Sequence, residues 1–232
     1  RTGFEQCRAR AGVNGGDALL RATSLLNEAI KKDPGFARAW SSLSMAYAWM
    51  PQYIDIDRVE AFEKAKEYSR EAARLDPTLG EHFAGLSVVY MYLREYQKSL
   101  ECAEHAVSLE PNDATVRRVV AISFAFYGYP ERTEDHIAEA IRIDPTSGME
   151  LAWAGEHAFM YANFDEARVF AQRAVDLGCG FANRVLAEIH LMAGERQAAI
   201  DCFRKAMNRS GLLLSERGVE ILSLAFGGKR ND

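Results

Sequence analysis

The residues of this chain that could perform covalent chemistry are few and scattered. Cys102 and His105 stand three residues apart, a spacing that places two side chains on one face of a helix. A thiolate beside an imidazole is the arrangement that activates a cysteine nucleophile. The sequence shows no third residue that would orient the histidine, so we predict a packing role for Cys102 and no enzymatic activity.

The histidines, cysteines and glycines do not form a recognisable metal or phosphate site. The five histidines do not recur together, the chain has no H-E-x-x-H motif, and its four cysteines form no C-x-x-C pair. The stretch "GVNGGD" lacks the lysine and hydroxyl residue of a phosphate-binding loop, so we interpret it as a turn with Asp17 capping the next helix. The sequence therefore predicts no cofactor and no metal.

Charge and hydropathy exclude two further classes of function. The 232 residues carry a formal net charge of −5, which does not provide the basic surface that nucleic acids require. No apolar run reaches the roughly 18 residues that span a bilayer. The isolated cysteines are typical of reduced thiols, so we expect a cytoplasmic protein. Because the chain begins at Arg1 rather than methionine, we expect it to be part of a longer protein.

A repeated pattern sets the architecture. Four prolines follow an acidic residue at intervals of 43, 34 and 34 residues, and an alanine stands five residues before each: Ala29 and Pro34, Ala72 and Pro77, Ala106 and Pro111, Ala140 and Pro145. A period near 34 predicts stacked helix hairpins, each of two helices of about 12–15 residues. Small residues at fixed positions let the helices approach closely, and proline ends the second helix of each hairpin.

This pattern resembles the tetratricopeptide repeat over about residues 17–208, most clearly in "EHFAGLSVVYMYLREYQKSLECAEHAVSLEPND". The resemblance implies an all-α fold, a right-handed superhelical solenoid of antiparallel helix hairpins. We expect about five repeats plus a partial one within residues 1–211, and a longer turn at "MPQYIDIDR". Residues 212–232 are predicted to form a capping helix and a polar tail. The alternative is that this segment lies in the groove of the array itself.

In tetratricopeptide arrays one side of each first helix lines a concave groove that binds partner peptides. Here that side is rich in methionine and aromatic residues, which suit an adaptable apolar interface. The candidate groove residues are Arg38, Met45, Trp49, Val88, Met91, Tyr92, Arg118, Ile122, Phe126, Glu156, Phe159 and Met160. The alternative interpretation is that the apolar members pack against the neighbouring hairpin and belong to the core.

The predicted function is protein binding. The chain is expected to bind a partner helix or extended apolar segment, which the arginines would orient. It also resembles, more loosely, the repeat regions of bacterial multidomain signalling proteins that carry winged-helix regulators or nucleotide cyclases, which implies a place in a larger bacterial regulatory protein. Two alternatives remain: a sensor of a small lipophilic ligand, and a scaffold that forms a homodimer through its C-terminal region.

Overall fold

The computed structural model describes residues 15–210, and all of the regular structure in that range is helical. The α-helices are α1 (Gly15–Lys32), α2 (Ala37–Trp49), α3 (Arg58–Leu75), α4 (Glu81–Tyr92), α5 (Tyr96–Leu109), α6 (Ala114–Phe126), α7 (Pro130–Ile143), α8 (Gly148–Met160), α9 (Phe164–Asp176), α10 (Asn183–Met192) and α11 (Arg196–Ser210). Two short 3-10 helices, Met50–Gln52 and Gly180–Ala182, precede α3 and α10. The predicted capping segment, residues 212–232, lies outside the described residues.

The predicted all-α fold of helix hairpins is confirmed. Successive helices pack in pairs, α2 with α3, α4 with α5, α6 with α7, α8 with α9, and α10 with α11. The helices α1, α3, α5 and α7 each end two residues before a proline of the repeat. The residue before a proline is pushed out of the helical region, which explains this constant ending.

The chain divides into two compact units. Within the described residues, the first unit contains residues 16–145 and the second contains residues 146–210 together with residue 15. The core of the first unit joins α2, α3, α4, α5 and α6, with Phe62, Val88 and Phe124 among its fully enclosed side chains. The repeat alanines Ala72 and Ala106 are fully buried in this unit.

The helices of each hairpin meet where the sequence places small residues. In the α2–α3 hairpin the Ser44 hydroxyl donates a hydrogen bond to the carbonyl of Ala65, at 2.8 Å. In the α4–α5 hairpin Ser99 donates to the carbonyl of Ser87, also at 2.8 Å. A serine at this contact therefore permits close approach and satisfies its own hydroxyl, which would otherwise be costly to bury.

The extra residues of the first hairpin form the longer turn that the sequence predicts. The chain leaves α2 through the 3-10 helix Met50–Gln52 and enters α3 at Arg58, where Asp57 caps the new helix by accepting from the amide of Glu60 at 2.8 Å. Met50, Tyr53, Ile54 and Ile56 pack with Leu19 and Ala22 of α1. We call residues 50–57 the long turn; it attaches α1 to the first hairpin.

None of the helices within residues 15–210 is long and apolar enough to cross a membrane.

Candidate partner-binding surface

The candidate groove residues of the first unit divide into a buried and an exposed group. The buried members are Met45, Trp49, Val88, Met91 and Arg118, each at most 6% exposed. The four apolar ones belong to the same hydrophobic cluster as Phe62 and Phe124. Packing between hairpins therefore accounts for these side chains, which leaves the more exposed members of the set as the candidates for contact with a partner.

Most of those more exposed members lie at the ends of α2, α4 and α6. Arg38, near the start of α2, and Phe126, the last residue of α6, are exposed, whereas Tyr92 and Ile122 are partly buried. Phe126 is 54% exposed. A large aromatic side chain with that exposure is the kind of group that protein interfaces cover.

Phe126 belongs to a group of aromatic side chains at the turns of two hairpins. We call Tyr96, Phe126, Tyr127 and Tyr129 the aromatic patch. The Tyr127 ring contacts those of Phe126 and Tyr96, and both contacts are edge-on. The ring centroids are 5.3 Å apart for Phe126 and 4.7 Å apart for Tyr96. The hydroxyl groups of Tyr96 and Tyr129 form a hydrogen bond. Tyr96 is 43% exposed, so the patch offers apolar rings and phenol groups together.

The sequence around the turn explains how the patch forms. Helix α6 ends at Phe126, and Gly128 adopts a left-handed φ of +78°, which glycine tolerates without strain. The amides of Gly128 and Tyr129 then donate to the last carbonyl groups of α6, and Pro130 starts α7. Sequence reasoning included Phe126 but missed the three tyrosines. The stretch "FYGYPE" carries the signal for Tyr127 and Tyr129, aromatic residues around a glycine turn, whereas Tyr96 belongs to the preceding hairpin.

A carboxylate joins the start of α4 to α2. Glu110, which follows α5, accepts hydrogen bonds from the amides of Gly80 and Glu81 at 2.8 and 2.9 Å. Its other oxygen pairs with the guanidinium of Arg38 at 3.1 Å. Amide groups at a helix start lack intrahelical partners, so Glu110 acts as a cap supplied by another helix. Arg38 therefore has a carboxylate partner within the chain.

Glu81 is a buried carboxyl group beside this cap. It is 4% exposed and accepts from the hydroxyl groups of Ser41 and Ser42, at 3.2 and 3.4 Å. Burial raises the pKa of Glu81 to about 8, with a further contribution from the negative charge of Asp113. Glu81 is consequently protonated at neutral pH and places a neutral polar group at the start of α4, beside α2.

The second unit presents a similar mixture of charged and apolar residues. Arg184 of α10 forms ion pairs with Glu156 of α8 and, at 2.8 Å, with Glu188 of its own helix. The candidate residue Phe159 is partly buried against Phe164, with ring centroids 5.5 Å apart, and Met160 at the end of α8 is 53% exposed. The structure thus brings Glu156 into an internal charge network and leaves Met160 open to solvent.

Among the side chains considered above for chemistry, those of Cys102, His82 and His136 are buried or partly buried. Burial raises the pKa of Cys102 to about 11, which keeps its thiol protonated and unreactive. Burial lowers the pKa of His82 and of His136 to about 4 each, so both are neutral near pH 7. His82 shares a hydrogen bond with Ser69 at 2.9 Å. Within residues 15–210 no group of three or more histidines, cysteines and acidic residues could hold a metal ion.

Comparison with known sequences gives a family for part of the chain. Residues 83–113, which span most of α4 and α5, match the family model described as tetratricopeptide repeat. The peroxisomal targeting signal receptor of Candida albicans is 28% identical over 100 residues. That region is 41% of this chain and 17% of the receptor, so the chain spans less than a fifth of that relative.

Solved structures resemble a larger part of the chain. TTC0263, a thermophilic TPR protein of Thermus thermophilus, aligns with a TM-score of 0.62 at 16% identity, covering 80% of this chain and 98% of that one. A chain of the APC/C hetero-tetramer Cut9–Hcn1 gives 0.67 at 14% identity, covering 91% and 41%. PilW, a type IV pilus biogenesis factor, gives 0.58 at 18%, covering 89% and 92%. These TM-scores establish a shared fold.

Proposed function

Because the chain carries a tetratricopeptide repeat and folds as tetratricopeptide proteins do, we propose that it is a protein-interaction module whose first unit binds a partner protein or peptide at the aromatic patch. The observation that carries this proposal is the exposure of Phe126 and Tyr96 in a connected group of rings. The larger bacterial regulatory protein inferred from the sequence remains part of the proposal.

The charges of the first unit favour a partner held mainly by apolar contacts. Arg38, the exposed cation among the candidate residues, is paired with Glu110, and Glu81 is buried and protonated. A partner that used Arg38 would have to replace an existing ion pair, which gains little at an exposed site. The aromatic patch needs no such exchange, since Phe126 and Tyr96 are already exposed to solvent. We therefore expect a partner segment with large apolar side chains and groups that hydrogen-bond to phenols.

The proposal is tested by replacing Phe126 with aspartate in the full-length protein. A charge on the patch should abolish capture of the specific partner, because burying a carboxylate in an apolar contact is costly. The matched control is Val59→Asp, which places the same charge at a 69% exposed apolar residue of the same unit. Partners are captured from cells of the source organism with wild-type and variant proteins and identified by mass spectrometry.

The expected result is a partner that wild-type protein and Val59→Asp retain and Phe126→Asp loses, while circular dichroism shows equal helix content in all three. The same comparison with purified partner then gives the loss in affinity, which we expect to exceed about tenfold. If Phe126→Asp captures the same proteins as Val59→Asp, the aromatic patch is not the binding surface and the proposal is wrong.

A further inference from the structure

The long turn forms one wall of a pocket in the first unit. The pocket has a volume of about 230 Å³ and is lined by Ala48, Pro51, Gln52, Arg58, Phe62 and Tyr92. The long turn also packs on α1 through Met50 and Ile54. The wall is therefore fixed by hydrophobic packing on α1, as expected of a preformed site.

The inner part of the pocket is aromatic. Phe62 of α3 is fully buried, and its ring stacks on that of Tyr92 with centroids 6.1 Å apart and planes inclined by 14°. Ala48 and Pro51 complete the apolar lining. Aromatic rings pack favourably on one another in offset-stacked or edge-to-face arrangements, so the space beside this pair suits a planar aromatic group.

Three residues of the lining carry polar side-chain groups: Arg58 a guanidinium, Gln52 an amide and Tyr92 a hydroxyl. Burial raises the pKa of Tyr92 to about 12, so its hydroxyl keeps its proton and can donate a hydrogen bond. All three groups are hydrogen-bond donors, and one is permanently charged.

Arg58 is available to an external anion. Among the described residues it has no carboxylate within 4 Å, and its neighbour Asp57 is engaged in capping α3 through the amide of Glu60. The side chain is solvent-exposed at the start of α3. Arginine is the residue best suited to bidentate recognition of a carboxylate, which it achieves with two parallel hydrogen bonds.

We propose that this pocket binds a carboxylate carried on a planar apolar group, with Arg58 pairing with the carboxylate, Tyr92 and Gln52 donating hydrogen bonds, and the Phe62–Tyr92 wall contacting the apolar part. The volume is below the roughly 300 Å³ at which sites for drug-sized ligands begin, so the ligand is one small acid or one residue of a peptide. A free aryl-alkanoic acid and a peptide ending in phenylalanine share this chemistry. The inference rests on the pocket and does not require the aromatic patch to bind a partner.

The test is calorimetric titration of the 232-residue chain with 3-phenylpropanoate and with its neutral carboxamide. We expect the acid to saturate one site and the carboxamide to bind at least about tenfold more weakly, because it cannot form the charge-assisted pair. Arg58→Gln should weaken the acid to the level of the carboxamide. Arg70→Gln, the same substitution at an exposed residue of the same helix, should leave the affinity for the acid unchanged, and Tyr92→Phe should weaken it several-fold.

A second pair of probes separates the two sources of the ligand. N-acetyl-Gly-Phe with a free carboxylate is compared with its C-terminal amide on the same proteins. Tighter binding of this peptide acid than of 3-phenylpropanoate, again dependent on Arg58, assigns the pocket to a chain terminus; the reverse order assigns it to a free small acid.

The proposal is overturned if neither acid binds, if acids and amides bind equally, or if Arg58→Gln binds the acids as wild type does. Helix content measured by circular dichroism confirms that each variant is folded. Phe126→Asp keeps every pocket residue, so it should bind the acids normally. Loss of partner capture in that variant and loss of acid binding in Arg58→Gln therefore report separately on the proposed function and on the pocket.

Discussion

At the scale of single residues, Glu81 provides a pH-dependent contribution to stability. Burial holds its pKa near 8 in the folded chain, against an ordinary value of 4.5. Between these two values the unfolded chain has released the proton and the folded chain has kept it. The folded state therefore binds more protons than the unfolded state, and the free energy of unfolding must fall as pH rises from about 4.5 to about 8. Above that range the contribution becomes constant.

We expect Glu81→Gln to remove this dependence, because glutamine is neutral and can still accept from Ser41. The free energy of unfolding of the variant, relative to wild type, should rise by more than about 1 kcal/mol between pH 5 and pH 8. Urea titrations followed by circular dichroism at both pH values measure the difference. Glu134→Gln, at an exposed glutamate, is the control and should show no such change. A constant difference between Glu81→Gln and wild type would contradict a raised pKa.

Residue roles were only partly predictable from the sequence. In the sequence the acid before each repeat proline is only part of the repeated pattern, yet Glu110 caps α4 and pairs with Arg38 of α2. Those contacts join residues 72 and 30 positions apart. A motif describes the local chain, so a cap that one helix supplies to another cannot be inferred from it.

At the scale of elements, the sequence predicted the helix hairpins well and the exposure of their ends poorly. A period near 34 and the prolines located the helices. Trp49 and Phe126 occupy the same repeat position at the ends of α2 and α6, but Trp49 is 6% and Phe126 is 54% exposed. Periodicity assigns both side chains to one face of a helix. The periodicity contains no information about the turn that follows each helix. The long turn follows Trp49, whereas a turn of three residues follows Phe126.

The small-residue contact between paired helices gives the prediction at this scale. In the α8–α9 hairpin it is made by Gly155, where an added Cβ would lie 3.2 Å from the carbonyl oxygen of Ala167 and 3.2 Å from the amide of Ala171. Both neighbouring atoms are backbone, so they cannot move away without shifting the helix. We expect Gly155→Val to destabilise the protein by about 1–3 kcal/mol through overpacking.

Thermal unfolding followed by circular dichroism measures this effect as a lower Tm. Gln172→Val, at an exposed position of α9, is the control for valine in this hairpin. It loses helix propensity, which costs well under 1 kcal/mol, whereas Gly155→Val gains helix propensity, so a larger decrease in Tm for Gly155→Val reports overpacking. An equal decrease in Tm for the two variants would mean that the helices tolerate a larger residue at this contact.

At the scale of the whole molecule, the end of the array is the main structural prediction that still needs a test. Each repeat buries its apolar surface against its neighbours, so the last one requires a different element to cover it. The last described hairpin, α10–α11, has a small core of Ala187 and Phe203, with Leu191, Ile200 and Cys202 only partly buried around it. The sequence "LLLSERGVEILSLAF" that follows is apolar enough to complete that core.

We expect removal of residues 212–232 to lower the Tm by several degrees, because it uncovers apolar surface on the final hairpin. The matched control removes only the polar tail, residues 227–232, and should unfold as wild type does. Analytical ultracentrifugation of the same proteins distinguishes the competing interpretation: a dimer that becomes a monomer when residues 212–232 are removed would identify the segment as a self-association element. An unchanged Tm and an unchanged mass would contradict both roles, since a segment that covers the last hairpin must stabilise it.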